Sequence, residues 1–224
     1  MSSNGWPLVP LGEVLKPTSR RVSVSPETEY ELLGARLYAK GLYTKDKKLG
    51  TEIRASHLYQ VQQGDFVYNR LFAWKGSFAV ATEENDGCFV SNEFPCFLVC
   101  EERLHPHFLW YYFSRETAWD EALGESHGAT PTSRNRLKEA DLLRLTIPLP
   151  PLEEQQRIVA RIDAVAGKIE EAQKLSSQVT NESNLLPVTL AHRTDLSPAE
   201  KQSLGWTQIR WGDVMRTNFD DQPV

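Results

Sequence analysis

The chain has no run of eighteen apolar residues, so it contains no candidate for a bilayer-spanning helix. Its first ten residues, Met1 to Pro10, lack a basic segment followed by an apolar stretch and do not read as a secretory signal. Both absences point to the cytoplasm. Cysteine is scarce: Cys88, Cys96 and Cys100 are the only three, which suits reduced thiols rather than a disulfide framework. Cys96 and Cys100 with His105 and His107 only approximate a zinc spacing. They alternate with Phe94, Phe97, Leu98 and Val99, so they read as buried residues of a strand, and no metal is expected.

Reaction chemistry is also missing. There is no Gly-x-Ser-x-Gly elbow, no Gly-x-Gly-x-x-Gly turn and no phosphate-cradling Gly-x-x-x-x-Gly-Lys loop. The five histidines, His57, His105, His107, His127 and His192, form no His-x-x-x-His pair. No catalytic residue is assigned, and the chain reads as non-catalytic. A net charge of −5 excludes a non-specific nucleic-acid coat protein, but not a reader that works through local patches and base contacts.

What is present is enough to build a core: 224 residues, 40% hydrophobic and 25% charged, fit one domain with an appendage. Short turn-bounded runs fill the first half. Gly64-Asp65 precedes Phe66 to Tyr68, Gly76 precedes Phe78 to Ala81, Asp86-Gly87 precedes Cys88 to Val90, and Phe94 to Val99 follows. Such β-branched and aromatic runs predict strands. From Leu104 to Leu123, aromatic residues recur at helical spacing after Pro106 and predict a core-packed helix. Gly124 to Asn135 is polar and predicts a loop. Three prolines in Thr146-Ile147-Pro148-Leu149-Pro150-Pro151 exclude a central strand or a helix interior, and so end the globular domain.

Beyond this hinge the period changes. Glu153, Glu154 and Gln155 suit a first helical turn. Ile158, Ile162, Val165, Ile169 and Ala172 follow at steps of three and four, and the same register reaches Ser176, Val179, Ser183 and Leu186. This is a heptad seam over roughly 50 Å, at about 1.5 Å per residue, and it requires a partner helix. Pro187 is expected to end it. The expected class is α+β: a strand-rich domain with packed helices over 1–150, then a coiled-coil-type helix over 151–187. A linker over 188–204 and the start of a truncated second repeat over 205–224 complete the chain. That repeat rests on Gly5-Trp6 with Gly12-Glu13-Val14, matched at an offset of 200 by Gly205-Trp206 with Gly212-Asp213-Val214.

Binding features are better represented than catalytic ones. Nine basic residues lie between Lys16 and Arg54, Arg20 and Arg21 among them, against five acidic ones. The Arg70-to-Gly76 segment joins two predicted strands and carries Arg70, Trp74 and Lys75, which suit phosphates and bases. Trp74 reads equally well as packed under the sheet. Ser133, Arg134, Asn135 and Arg136 form a second group, because Arg and Asn can make paired hydrogen bonds to guanine and adenine. A loop from Thr44 to Lys48, with Lys45, Lys47 and Lys48, supplies a third.

Ile147-Pro148-Leu149-Pro150-Pro151-Leu152-Glu153-Glu154-Gln155-Gln156-Arg157-Ile158-Val159 resembles the joint between recognition domain and conserved helix in the specificity subunits of type I restriction–modification systems. Gly5-Trp6, Leu11 to Val14, the Gly64-Asp65-Phe66 turn and Leu185-Leu186-Pro187 are similar as well. The resemblance implies a target-recognition domain that reads half of a bipartite site in double-stranded DNA, and a spacer helix that docks the methyltransferase subunit. It implies that S-adenosylmethionine, ATP and magnesium are used only by partner subunits, that a restriction and motor subunit joins indirectly, and that this chain needs no cofactor. The repeat points to a homodimer through the helix. Two other readings stay open: a recognition fragment of a fused restriction–methyltransferase, and a protein-interaction scaffold that does not bind DNA.

Overall fold

The computed structural model describes residues 5–126, 135–193 and 195–207, with the backbone alone over 182–192. The strands are β1 (Leu8–Pro10), β2 (Leu15–Thr18), β3 (Arg21–Ser23), β4 (Glu29–Ala35), β5 (Leu42–Leu49), β6 (His57–Gln60), β7 (Phe66–Tyr68), β8 (Phe78–Val80), β9 (Phe89–Val90) and β10 (Cys96–Val99). Helices α1 (Pro106–Tyr112), α2 (Glu116–Gly124) and α3 (Glu139–Arg144) follow, then β11 (Thr146–Pro148), α4 (Leu152–His192) and α5 (Pro198–Ser203). This is the expected α+β class.

β7 shows why the strand-rich half folds as it does. Phe66 and Tyr68 point into one core with Phe78, Phe97, Leu109 and Phe113, while Val67 between them points into a second core with Leu33, Val61, Ala81 and Cys96. The two-residue period of a strand thus feeds two cores at once. Phe78 stacks on Phe113 with centroids 4.3 Å apart, which ties α1 to the sheet. β7 lies inside a four-stranded sheet of order β2-β10-β7-β8. A five-stranded sheet, β3-β6-β9-β4-β5, stands apart from it, with β4 and β9 parallel and the other pairs antiparallel.

Four expectations are corrected. Thr44 to Lys48 is not a loop but the middle of β5, an edge strand paired with β4. Its charges read as a loop because edge strands carry lysine to block further pairing. The helix expected from Leu104 to Leu123 is two, α1 and α2, because Nε1 of Trp119 takes the Phe113 carbonyl at 2.6 Å and closes off α1. α4 runs through Pro187, which removes one backbone donor and does not end it. Residues 188–204 hold the end of α4 and all of α5, where Ser197 and Glu200 form a reciprocal capping box.

The proline hinge pairs as an edge: β11 lies antiparallel to β1 in a two-stranded sheet, with Pro148 opposite Leu8. The chain forms two compact units, one ending at Ala164 and the other beginning at Val165. The first unit therefore takes in the opening turns of α4, beyond the hinge at residue 150. In the repeat, Gly5 and Gly205 share the left-handed conformation, with φ +77 and +84. Gly212 to Val214 lie outside the described residues.

Candidate nucleic-acid interface

Five of the basic residues singled out in the sequence, Arg20, Lys47, Lys48, Arg70 and Arg136, meet a carboxylate. Arg20 holds Asp65 with both guanidinium arms, Nη1 to Oδ2 at 2.6 Å and Nη2 to Oδ1 at 3.1 Å. Asp65 is buried and also accepts the Gln62 amide, so this pair fastens the Gly64-Asp65 turn. Arg70 donates to both oxygens of Glu139 and to the Asn92 carbonyl. Burial pushes the Glu139 carboxyl up, but the Arg70 guanidinium outweighs it and holds the group below its ordinary value. Both arginines line one cleft with Tyr59, Gln60 and Asn92.

The remaining candidates differ in exposure. Lys47 pairs with Glu31 at 2.8 Å, Lys48 with Asp46 at 3.1 Å and Arg136 with Glu93 at 2.8 Å, all near the surface. Arg21 donates to Nδ1 of His57 at 2.9 Å. Lys45 is exposed on β5 and has no ion pair among the described residues. Asn135 is buried. Ser133 and Arg134 lie outside the described residues. Trp74 is half-buried: its Nε1 donates to the Leu71 carbonyl at 3.1 Å, while Lys75 Nζ sits 4.7 Å above the ring.

A tip is built from two segments far apart in the chain, which no local pattern announces. The turn after β4 folds back with the Arg36 amide on the Gly41 carbonyl at 2.9 Å. It then docks on the turn between β7 and β8. The Tyr38 amide donates to the Lys75 carbonyl at 2.8 Å, the Ala39 amide to the Gly76 carbonyl at 2.6 Å, and Ser77 Oγ to the Ala35 carbonyl at 3.2 Å. Tyr38 and Ala39 have φ of 61° and 50°, a conformation that costs a residue with a Cβ about 1–2 kcal/mol. Gly76 is required here: at φ +70, an added Cβ would lie 2.4 Å from the Trp119 ring.

The joint to α4 was also more specific than the prolines suggested. Gln155 is fully buried; its Nε2 donates to the carbonyls of Arg103 and Pro150, both at 2.8 Å, and its Oε1 accepts the His105 amide at 2.8 Å. Val159 is buried beside it and Ile158 packs on the same core. Tyr111 donates from its hydroxyl to Asp163; burial, and then this bond to Asp163, push the phenol up to about 12. Burial also pushes the Cys96 thiol up to about 12, as suits a core cysteine, while the half-exposed Cys100 donates to Glu102.

Along the seam, Ile162 is half-buried, Val165 and Ile169 are each 52% exposed, Ala172 is exposed and Val179 is 66% exposed. Leu175 adds a further exposed apolar group that the heptad count omits. The side chain of Leu186 lies outside the described ones. Among the described residues, no three histidine, cysteine or carboxylate groups gather as a metal site, and no helix is long and apolar enough to cross a membrane.

Among solved structures the chain is similar to the HsdS subunit from Thermoanaerobacter tengcongensis, with 24% identity, a TM-score of 0.63, and coverage of 81% of this chain and 47% of that one. It is similar also to a chain described under complex assembly and conformational transition of the type I R-M system, with 25% identity, a TM-score of 0.63, and coverage of 94% and 54%. The type I restriction-modification system S subunit from M. genitalium shares 13% identity at a TM-score of 0.51, which supports the fold. The chain spans about half the length of the solved structures it matches. A search of curated proteins returned no match. The family model for the type I restriction modification DNA specificity domain matches residues 5–181, from the first strand through the Gln155 joint and into the exposed part of α4, and the chain belongs to that family.

Proposed function

We propose that this chain is the DNA sequence-recognition half-subunit of a type I restriction–modification complex. The globular unit reads one half of a bipartite site in double-stranded DNA, and α4 docks the methyltransferase subunit, through which the restriction and motor subunit joins. Two copies paired through α4 supply both half-sites, so the target is symmetric. The chain itself catalyses nothing; S-adenosylmethionine, ATP and magnesium act in the partner subunits. The complex works in the cytoplasm.

One observation carries this reading: the family match runs unbroken over residues 5–181, covering head, joint and seam together. The exposed apolar groups Val165, Ile169, Leu175 and Val179 support a partner on α4. The test is DNA affinity against salt. Phosphate contacts release counterions, so log affinity for a duplex falls linearly with log salt, by about 0.9 for each phosphate neutralised. A slope of at least about three supports the reading. A flat response on duplex DNA, with or without the methyltransferase subunit, overturns it in favour of a protein scaffold.

A further inference from the structure

The two-segment tip carries a positive surface that is little neutralised by carboxylates among the described residues. The segments Ala35 to Tyr43 and Asn69 to Ser77 contain no acidic residue. Of their cations only Arg70 is in an ion pair among the described residues. Arg36 lies with its guanidinium 4.8 Å over the Tyr43 ring, Lys75 over Trp74, and Lys40 is exposed. In a chain of net charge −5, three cations on one tip with no carboxylate partner among the described residues form an unusual local field. The same tip exposes two aromatic rings, Tyr38 at 56% and Phe72 at 44%.

Ala39 is buried, but Tyr38, which shares its left-handed backbone conformation, is exposed. Tyr38 sits in the left-handed region, where glycine would be unstrained, and among the described residues its one aromatic pairing is a tilted contact with Trp119 at 5.7 Å. Packing therefore does not account for a tyrosine at this position. Strain that the surrounding hydrogen bonds hold in place, on a side chain turned to solvent, marks a pre-organised contact.

We propose that this tip is the base-reading element of the domain. Tyr38 meets a base edge in the groove of duplex DNA, with Phe72 beside it, and Arg36, Lys40 and Lys75 hold the flanking phosphates. This rests on the proposed function and assigns it to residues outside the Ser133–Arg136 group. Arg20 and Arg70, each paired with a carboxylate, brace the fold.

The test incubates the full chain with a pool of duplexes randomised at their centre, then sequences the retained fraction. Tyr38→Gly removes the ring and the strain together, so the thermal midpoint is kept or raised. Its preference at one or two base positions falls by about ten-fold to a hundred-fold, while the other positions of the motif persist. Lys40→Ala and Lys75→Ala lower affinity evenly across sequences and each reduce the salt slope by about one. If Tyr38→Gly returns the parent's motif with unchanged preference at every position, or both lysine variants keep the parent's slope, the tip is not the reader. A parent chain that binds no duplex in a salt-dependent way sinks the proposed function, and the tip with it.

Discussion

The backbone amide of His105 donates to Oε1 of Gln155 across fifty residues of sequence, at 2.8 Å, while the other end of the same amide group holds two carbonyls. One buried side chain thereby joins the loop before α1, the proline hinge and the first turn of α4. Leaving a buried backbone group unpaired costs about 1–3 kcal/mol. Gln155→Leu strands three, one in a fully buried bond and two part-buried, so the first unit should lose about 2–3 kcal/mol, read from urea unfolding. Gln155→Glu should be as harmful at neutral pH, because a carboxylate cannot donate to the Arg103 and Pro150 carbonyls. Protonation restores a donor, so the folded state raises this carboxyl above its free value of about 4.3. The variant's deficit relative to the parent must then shrink as pH falls. A deficit under about 1 kcal/mol for the leucine variant would remove Gln155 from the joint.

The pair Arg20–Asp65 bears on folding rather than on DNA affinity. Asp65 is buried, so Arg20→Ala leaves a carboxylate held only by the Gln62 amide. Breaking a fully buried pair costs about 3–5 kcal/mol; the part-exposed Arg20 brings that to about 2–3 kcal/mol. The urea midpoint should fall with little change in the salt slope of DNA binding. The opposite pattern would make Arg20 a phosphate contact.

His105 caps α1, its Nδ1 accepting the His107 amide at 3.2 Å. Burial, and then the neighbouring His107, hold its imidazole below the ordinary 6.5, against the pull of Glu101 and Asp163. A depressed folded value means that protonation favours the unfolded chain. The stabilisation is complete above 6.5 and is lost as pH falls through the folded value. His105→Asn keeps a cap acceptor and removes the titration. Between about pH 8 and about pH 5 its urea midpoint should fall less than the parent's; equal falls would contradict this.

Ile169, 52% exposed on α4, separates partner binding from folding. Ile169→Asp should leave the unfolding midpoint of the first unit unchanged, yet lower both the mass seen by light scattering and methyltransferase pull-down. Ile162→Asp should do the same at an added cost in stability, since Ile162 is half-buried. Unchanged mass together with unchanged pull-down would refute the seam.

The strands at Phe66, Phe78, Phe89 and Cys96 were legible because apolar alternation and glycine turns act locally. β5 was not, because its charged pattern is shared by loops and edge strands and only the pairing with β4 decides. The break between α1 and α2 escaped for a related reason: helical spacing continues across it, and a Trp119 hydrogen bond makes it. The basic candidates were visible as residues, but their neutralisation was not. Arg20 finds Asp65 at a separation of 45 residues and Arg70 finds Glu139 at 69. The φ values of Tyr38 and Ala39 had no signal in residue types that ordinarily avoid them. Gln155 could have been suspected, since the resemblance passes through it, but its three partners come from the folded joint.

Specificity for sequence is the central claim, and the ratio of two affinities measures it most directly. The full chain is titrated, at physiological salt, against the duplex recovered from a randomised pool and against the same bases shuffled. Specific readers bind their site about a thousand-fold or more above other DNA, and a ratio of that size is the predicted result. A ratio near one, with both duplexes bound alike, would contradict the account.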